Sequence, residues 1–308
     1  MLSIIQMTDT LNLQINGKDR ILNKEDCLKF INSCGRNNND HNNKVRELAI
    51  YCMVNNIIPN EWMNDQIWVN LNNGVHEFLN SLVVEHQGYE CIIKSGRNCN
   101  YDFDIKYKMN DDRSIIIKLE FKYGCQHVTG CPQFLSLSSD FDTNYSEYFY
   151  DNYVSQISEL YSIDMPEKDE YLRCVKGTNY SKMEWFQNIY DNEKLHKKEK
   201  KNIVDESIHK FLQIYQKNIN LNKLQKKFMH TQKGKIYMCY CDGNFVKDII
   251  EEDELTLVKV DKLKAGKNRL NHTVILNTNN NTKIHMLLRW KNRAGILYPA
   301  WQIKLVRN

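Results

Sequence analysis

Apolar positions recur at helical spacing from Gly74 to Gln87, where Val75, Phe78, Leu79, Leu82 and Val83 form one stripe. That period predicts an amphipathic helix, and Gly88 suits its C-terminal stop. Three runs with strand character follow. Tyr89–Lys94 is the first. In Tyr101–Lys106, Tyr101, Phe103 and Ile105 share one face and Asp102, Asp104 and Lys106 the other. In Ser114–Lys122, Ile115, Ile117, Leu119 and Phe121 point one way, and Ile116, Lys118, Glu120 and Lys122 the other. Side chains on a strand alternate with a period of two. Asn110-Asp111-Asp112 between the last two runs is turn chemistry. An antiparallel hairpin would therefore set the Asp face beside the Glu120/Lys122 face.

The flanks read differently. Residues 1–60 look mainly helical after a short extended start, with Asn23 capping Lys24–Cys34, Gly35 ending it, and a second helix over Asn43–Asn56. Residues 61–73 read as a connection. Tyr145–Tyr161 has helical spacing rich in Tyr and Phe. Further helices are expected from Pro166, around Trp185-Phe186 and over Ile203–Ile219. From Gly234 the pattern turns to strands: Lys235–Cys241, an Asp242-Gly243 turn, Leu255–Val260, His272–Leu276, Lys283–Trp290 and Trp301–Val306. Asn37–Asn39 and Asn279–Asn281 read as loops. The expected organisation is thus a helical region over 1–69, a core over 70–165, a lysine-rich helical segment over 166–233 and a β-rich unit over 234–308.

Composition narrows the class. The chain of 308 residues carries a formal net charge of +4, which permits nucleic-acid binding without demanding it. No run of roughly eighteen apolar residues is present, so no membrane span is expected. The start lacks a basic segment followed by a long apolar one, so secretion is not expected and an intracellular place, cytoplasm or nucleus, is. The ten cysteines include no Cys-x-x-Cys pair, and Cys125-Gln-His127 and Cys239-Tyr-Cys241 lack a second half. Free or buried thiols in a reducing compartment fit better than a disulfide or zinc framework.

The candidate chemistry lies on the predicted hairpin. Two or three carboxylates and an ammonium on one face suit Mg²⁺ and phosphodiester chemistry. A second Glu-x-Lys, Glu199-Lys200-Lys201, has no strand leading into it. Tyr101-Asp-Phe-Asp104 followed by Glu120-Phe-Lys122 resembles the PD-(D/E)XK, or restriction-endonuclease-like, nuclease superfamily over about residues 70–160. Tyr101 stands where that pattern's proline would be.

The resemblance implies an α/β (α+β) fold with a mixed central sheet flanked by helices. It implies a metal held by Asp102 or Asp104 together with Glu120, with Asp102 preferred, and Lys122 orienting or deprotonating the attacking water. Glu77, beside the apolar stripe of its helix, would be the helical acid, or else a solvated helix residue. Mg²⁺ is the expected cofactor, with Mn²⁺ as its substitute. The expected activity is a DNA endonuclease of restriction or homing type acting on double-stranded DNA, as a homodimer because two strands must be cut. The alternative is a DNA-binding protein that keeps the fold and cuts little or not at all. RNA is a further candidate substrate.

Contacts to DNA are expected from Gln126 and Gln133 after the hairpin, and from Arg289, Lys291 and Asn292 at the end of a late strand. The lysine-dense stretches 194–201 and 223–227 are further candidates for phosphate contact, against the simpler reading of solvated helix faces. Trp290 and Trp301 read as core.

Overall fold

The computed structural model describes residues 9–32, 39–94, 99–136, 144–175, 183–291 and 295–307. In chain order it contains β1 (Thr10–Ile15), β2 (Lys18–Asn23), α1 (Leu28–Ile31), α2 (Asn39–Val54), α3 (Gln66–Leu82), β3 (Gly88–Ile93), β4 (Phe103–Lys108) and β5 (Ser114–Tyr123). Then come β6 (Gln133–Ser136), α4 (Tyr145–Tyr161), α5 (Lys168–Val175), α6 (Glu184–Asp191), α7 (Lys197–Asn218) and α8 (Leu221–Gln232). The chain closes with β7 (Ile236–Cys241), β8 (Asn244–Asp248), α9 (Glu252–Leu255), β9 (Leu257–Ala265), β10 (Asn271–Thr278), β11 (Lys283–Trp290) and β12 (Pro299–Val306). The fold is mixed α/β. Among the described residues no helix is long and apolar enough to cross a membrane.

Two compact units divide the chain, and neither is one continuous segment: 1–131 with 234–250, and 132–233 with 251–308. This differs from the four consecutive regions expected. The strand at 236–241, expected with the C-terminal β-rich unit, instead pairs in parallel with β5 in the first unit. Its sequence, Ile-Tyr-Met-Cys-Tyr-Cys, is apolar on both faces, as a central strand requires.

The first unit holds a mixed five-stranded sheet of order β3-β4-β5-β7-β8. The expected hairpin is present, with β4 and β5 antiparallel and Phe103 opposite Leu119. Phe103, Ile105, Tyr107, Leu119 and Met238 are buried against α2 and α3 in one apolar cluster. The Tyr107 hydroxyl donates to the Leu79 carbonyl of α3 at 2.8 Å. The Asn55 side-chain amide makes two bonds with the Cys91 backbone, at 2.9 and 3.0 Å, and so covers the outer edge of β3.

Helix α3 begins eight residues before the predicted start. The Asp65 side chain accepts from the Ile67 amide at 2.9 Å and caps the helix. Trp68 and Leu71 extend the buried stripe backward, while the polar Asn70, Asn72 and Asn73 mask it in sequence. Gly74, read as a start, lies within the helix. A Cβ there would come within 3.0 Å of the Phe245 ring, so glycine lets α3 pack close to β8.

At the N-terminus, an Asn16-Gly17 turn with positive φ at both residues joins β1 and β2, where helix was expected. The expected helix from Lys24 is a 3-10 turn, Lys24–Cys27, running into the short α1, and Asn23 closes a capping box with Asp26. Residues 33–38, with the expected Gly35 stop and most of the first Asn tract, lie outside the described residues. Asn39 opens α2.

The second unit holds an antiparallel sheet of order β6-β12-β11-β10-β9. Strand β6 pairs antiparallel with β12 at the edge of this sheet. Trp290 and Trp301 are buried, as their core reading requires. The Trp290 indole donates to the Tyr145 hydroxyl at 3.1 Å, and the Trp301 ring lies 5.5 Å from that of Tyr215 on α7. The Asp65 cap gives a direct test. Asp65→Ala should lower stability to urea by about 0.5–2 kcal/mol, and an unchanged midpoint would show that α3 does not need the cap.

Candidate active site

The site is built at the end of β5, where that strand lies between β4 and β7. Glu120 is buried, at 8 % exposure. Its Oε1 meets the Lys122 ammonium and its Oε2 the Lys235 ammonium. Lys235, which leads into β7, also donates to the Asn100 carbonyl at 2.6 Å. Its side chain is 4 % exposed. One carboxylate therefore holds two ammonium groups in the interior.

Asp102 precedes β4, and its backbone is clamped from two sides. Its amide donates to the Leu119 carbonyl at 3.0 Å, and its carbonyl accepts from the Lys94 amide at 2.8 Å. Its carboxylate Oδ2 accepts from the Phe121 amide at 2.8 Å, beside Glu120. Burial raises the Asp102 pKa to about 6, and the negative charge of Glu120 adds to the rise, against the pull of Lys122.

Asp104 takes a different partner. Its carboxylate pairs with Lys94 of the neighbouring strand end at 3.2 Å, and Oδ1 is buried without a hydrogen-bond partner. Of the two aspartates the sequence left open, Asp102 is thus the one packed with Glu120 and Lys122.

The helical acid in this environment is Glu47 on α2. Burial raises its pKa to about 8, and the charge of Asp102 is the next cause, while Lys44 and Lys122 oppose it. The neighbouring Arg46 anchors this stretch of helix. Its guanidinium sits 3.3 Å from the centroid of the Tyr123 ring, one residue beyond Lys122, and donates to the Lys29 carbonyl at 2.6 Å. Glu77 stands exposed on α3, and no hydrogen bond or ion pair among the described residues links it to Glu120 or Lys122. The stripe on Gly74–Gln87 drew attention to the acid of that helix. Glu47 lies in a run with weaker amphipathic pattern, between the buried Arg46 and Leu48. Lys235 was equally hidden, as the leading residue of an apolar strand. Only pairing of β7 with β5 brings it to Glu120.

Burial disfavours the charged form of both lysines. At Lys122 the attraction of Glu120 and Asp102 more than offsets this, and its pKa is raised. At Lys235 burial dominates and its pKa is lowered despite Glu120. Lys122 is therefore a fixed ammonium at neutral pH.

The carboxylate oxygens of Asp102 and Glu120, with Glu47 within electrostatic reach, are the hard donors that suit Mg²⁺ or Mn²⁺. Burial and mutual repulsion hold Asp102 and Glu47 toward their neutral forms, a state that a nearby dication would reverse. In the described arrangement the two ammonium groups occupy Glu120. Among the described residues no group of three or more His, Cys, Asp or Glu side chains is placed to hold a metal ion.

The expected DNA contacts divide between the two units. Gln126 is exposed in the turn after β5, a turn held by the Gly124 amide on the Tyr240 carbonyl and the Val128 amide on Asp248. Gln133 is buried in the second unit, at 4 % exposure, and its Nε2 lacks a partner. Arg289 and Lys291 are exposed in the second unit, and Asn292 lies outside the described residues. Of the lysine stretches, Lys200 is buried near the Tyr161 ring and Lys201 pairs with Asp205. The nine described cysteines are all free thiols. No protein-family model, curated protein or solved structure matches this chain.

Two outcomes follow from the charges. A carboxyl whose folded pKa is raised favours the folded state most below its unfolded value, and that contribution is lost as pH rises through the folded value. For Glu47 the window runs from about 4.5 to about 8. Without metal, Glu47→Gln should therefore exceed wild type in stability at pH 9 by about 1–3 kcal/mol, with the gap closing near pH 5. Thermal melts across that range check this, and parallel pH profiles would contradict it. Glu120→Ala strands two buried ammonium groups and should cost about 3–5 kcal/mol in denaturant unfolding. A loss below about 1 kcal/mol would mean that Glu120 does not hold them.

Proposed function

We propose that this chain is a Mg²⁺-dependent endonuclease that hydrolyses DNA phosphodiester bonds, with a first unit of the restriction-endonuclease-like type. The observation that carries the reading is the meeting of Asp102, Glu120 and Lys122 across β4 and β5, with a helical acid, Glu47, in the same charge environment. The order of elements supports it: a helix, three antiparallel strands, then a crossover to a parallel fourth strand, β7, beside β5.

The chemistry divides among the residues. A bound Mg²⁺ supplies Lewis acidity to the scissile phosphate and lowers the pKa of a water. Asp102, fixed by the Phe121 amide, and Glu120 would supply the oxygens that hold the cation. Lys122, as a persistent ammonium, donates hydrogen bonds to the attacking water and to a phosphoryl oxygen, and offsets charge that builds on phosphorus. This favours positioning over proton abstraction for Lys122. Lys235 holds the second oxygen of Glu120 from the opposite side and so fixes its rotamer. Action on both strands of a specific duplex site fits a homodimer of restriction or homing type.

A second reading has its own observation. Both oxygens of Glu120 are engaged by ammonium groups, which fits a chain that keeps the fold, binds DNA and cuts little. Cleavage of plasmid, oligonucleotide and RNA substrates in Mg²⁺, Mn²⁺ or EDTA separates the two. The nuclease reading expects metal-dependent cutting of DNA that falls at least about 100-fold in Asp102→Asn and Lys122→Ala. Those substitutions leave Glu120 and Lys235 paired, and thermal melts of both variants separate lost activity from lost folding. Wild-type rates in both variants would sink the site, and binding without any metal-dependent cutting would select the second reading.

A further inference from the structure

In the second unit, the two faces of the β9–β12 portion of the sheet carry opposite chemistry. Val274, Leu276, Ile284, Met286, Leu288, Trp301, Ile303 and Leu305 are buried on one face, and Tyr215 of α7 packs on Trp301 there. The register fixes what the other face presents. Lys262, Ile275, His285 and Lys304 lie side by side across the four strands. The adjoining row is Lys264, Thr273, Leu287 and Gln302, and the row beyond His285 on the other side is Lys259, Asn277, Lys283 and Val306. At a strand spacing of about 4.8 Å, the row from Lys262 to Lys304 spans about 14 Å.

Lys259, Lys262, Lys264, Lys283, Arg289 and Lys304 give this face its sign. The carboxylate of Asp261, at an irregularity of β9, is paired with Lys283 at 3.3 Å. No other carboxylate among the described residues forms an ion pair with these side chains. Burial lowers the pKa of His285, and Lys264, Lys304 and Lys283 lower it further, so the imidazole senses the surrounding positive charge. Arg289 is held in place by Gln302, which accepts from its Nη1 at 2.9 Å. A planar guanidinium fixed in this way is suited to phosphate.

Lysines on an edge strand guard against edge-to-edge pairing, and β9 is such an edge. That role does not extend to Lys283 and Arg289 on β11 or Lys304 on β12, which are interior strands. The face is also polar between its charges, with Thr273, Asn277 and Gln302. Its aliphatic members, Ile275, Leu287 and Val306, are buried or half-buried between the charges, so none stands out to insert into a lipid surface.

We propose that this lysine-rich sheet face is a sequence-independent docking surface for the phosphate backbone of a nucleic-acid duplex. It rests on the nuclease reading only for the expectation that the duplex is DNA. Neutralised phosphates release counterions, so each contact adds about 0.9 to the salt slope of binding.

The test uses the full chain in EDTA, where metal-dependent cutting is silent, with a fluorescent DNA duplex of arbitrary sequence and anisotropy read from about 50 to 200 mM salt. The triple variant Lys262→Gln, Lys264→Gln, Lys304→Gln should lose at least about tenfold in affinity at low salt and flatten the slope by about 2–3. All three side chains are exposed, and an unchanged melting temperature checks the fold. A control of equal charge at exposed lysines outside this face, Lys18→Gln, Lys108→Gln, Lys217→Gln, should leave the slope intact.

An unchanged slope in the first variant, or an equal loss in the control, overturns the surface. So does binding to phosphatidylserine vesicles without binding to duplex. The outcomes also separate this surface from the nuclease site. Flattened slope with wild-type cleavage in Asp102→Asn keeps the face and removes the site. Lost cleavage in Asp102→Asn with an unaltered slope in the triple variant does the reverse.

Discussion

A carboxylate taken out of water needs positive charge and hydrogen bonds close by, or it gives up its charge. Glu120 meets that demand with Lys122 two residues along its own strand and with Lys235 from the start of β7. The polar interior of the first unit depends on this arrangement. It requires β7 to run parallel beside β5, which brings a residue more than a hundred positions away to the same carboxylate. It also leaves Asp102 and Glu47 without a full share of the available positive charge. Burial and the neighbouring carboxylates then push both toward their neutral forms.

That imbalance links the fold to the proposed chemistry. Three acids and two ammonium groups in a partly dry site are poised between two charge states. In one, a single proton shared between Asp102 and Glu47 balances the charge of the site. On the proposed reading, a divalent cation would take the place of that proton and compete with the ammonium groups for Glu120. Lys122 is retained as a cation by Glu120 and Asp102, which is what the proposed role toward phosphate would require. The Phe121 amide on Asp102 and the Arg46–Tyr123 contact hold the backbone of this region in place without taking part in the chemistry.

Much of the local pattern was legible in the residues. Alternation on 101–106 and 114–122 specified the hairpin and the face it presents, because a period of two is strict on a strand. Tyr145–Tyr161 and Lys283–Trp290 were placed at their observed bounds. The choice between Asp102 and Asp104 was not legible, since both share one strand face. The two take different partners in the structure: Lys94 pairs with Asp104, and the Phe121 amide donates to Asp102. Glu47 and Lys235 were hidden for a related reason: each reaches the site only through tertiary packing. The division of the chain was hidden as well, because a sequence pattern cannot show that the strand at 236–241 returns to β5. The lysines of the β9–β12 sheet lay in view singly, and only the strand register gathers them onto one face.

The most direct test of the central claim is a crystal structure of the protein grown with Mn²⁺, with the ion located by its anomalous scattering. The account predicts a peak ligated by the carboxylates of Asp102 and Glu120, with Glu120 released from at least one of its two lysines. A peak elsewhere, or none, with the Lys122–Glu120–Lys235 pairing intact at saturating Mn²⁺, would contradict it.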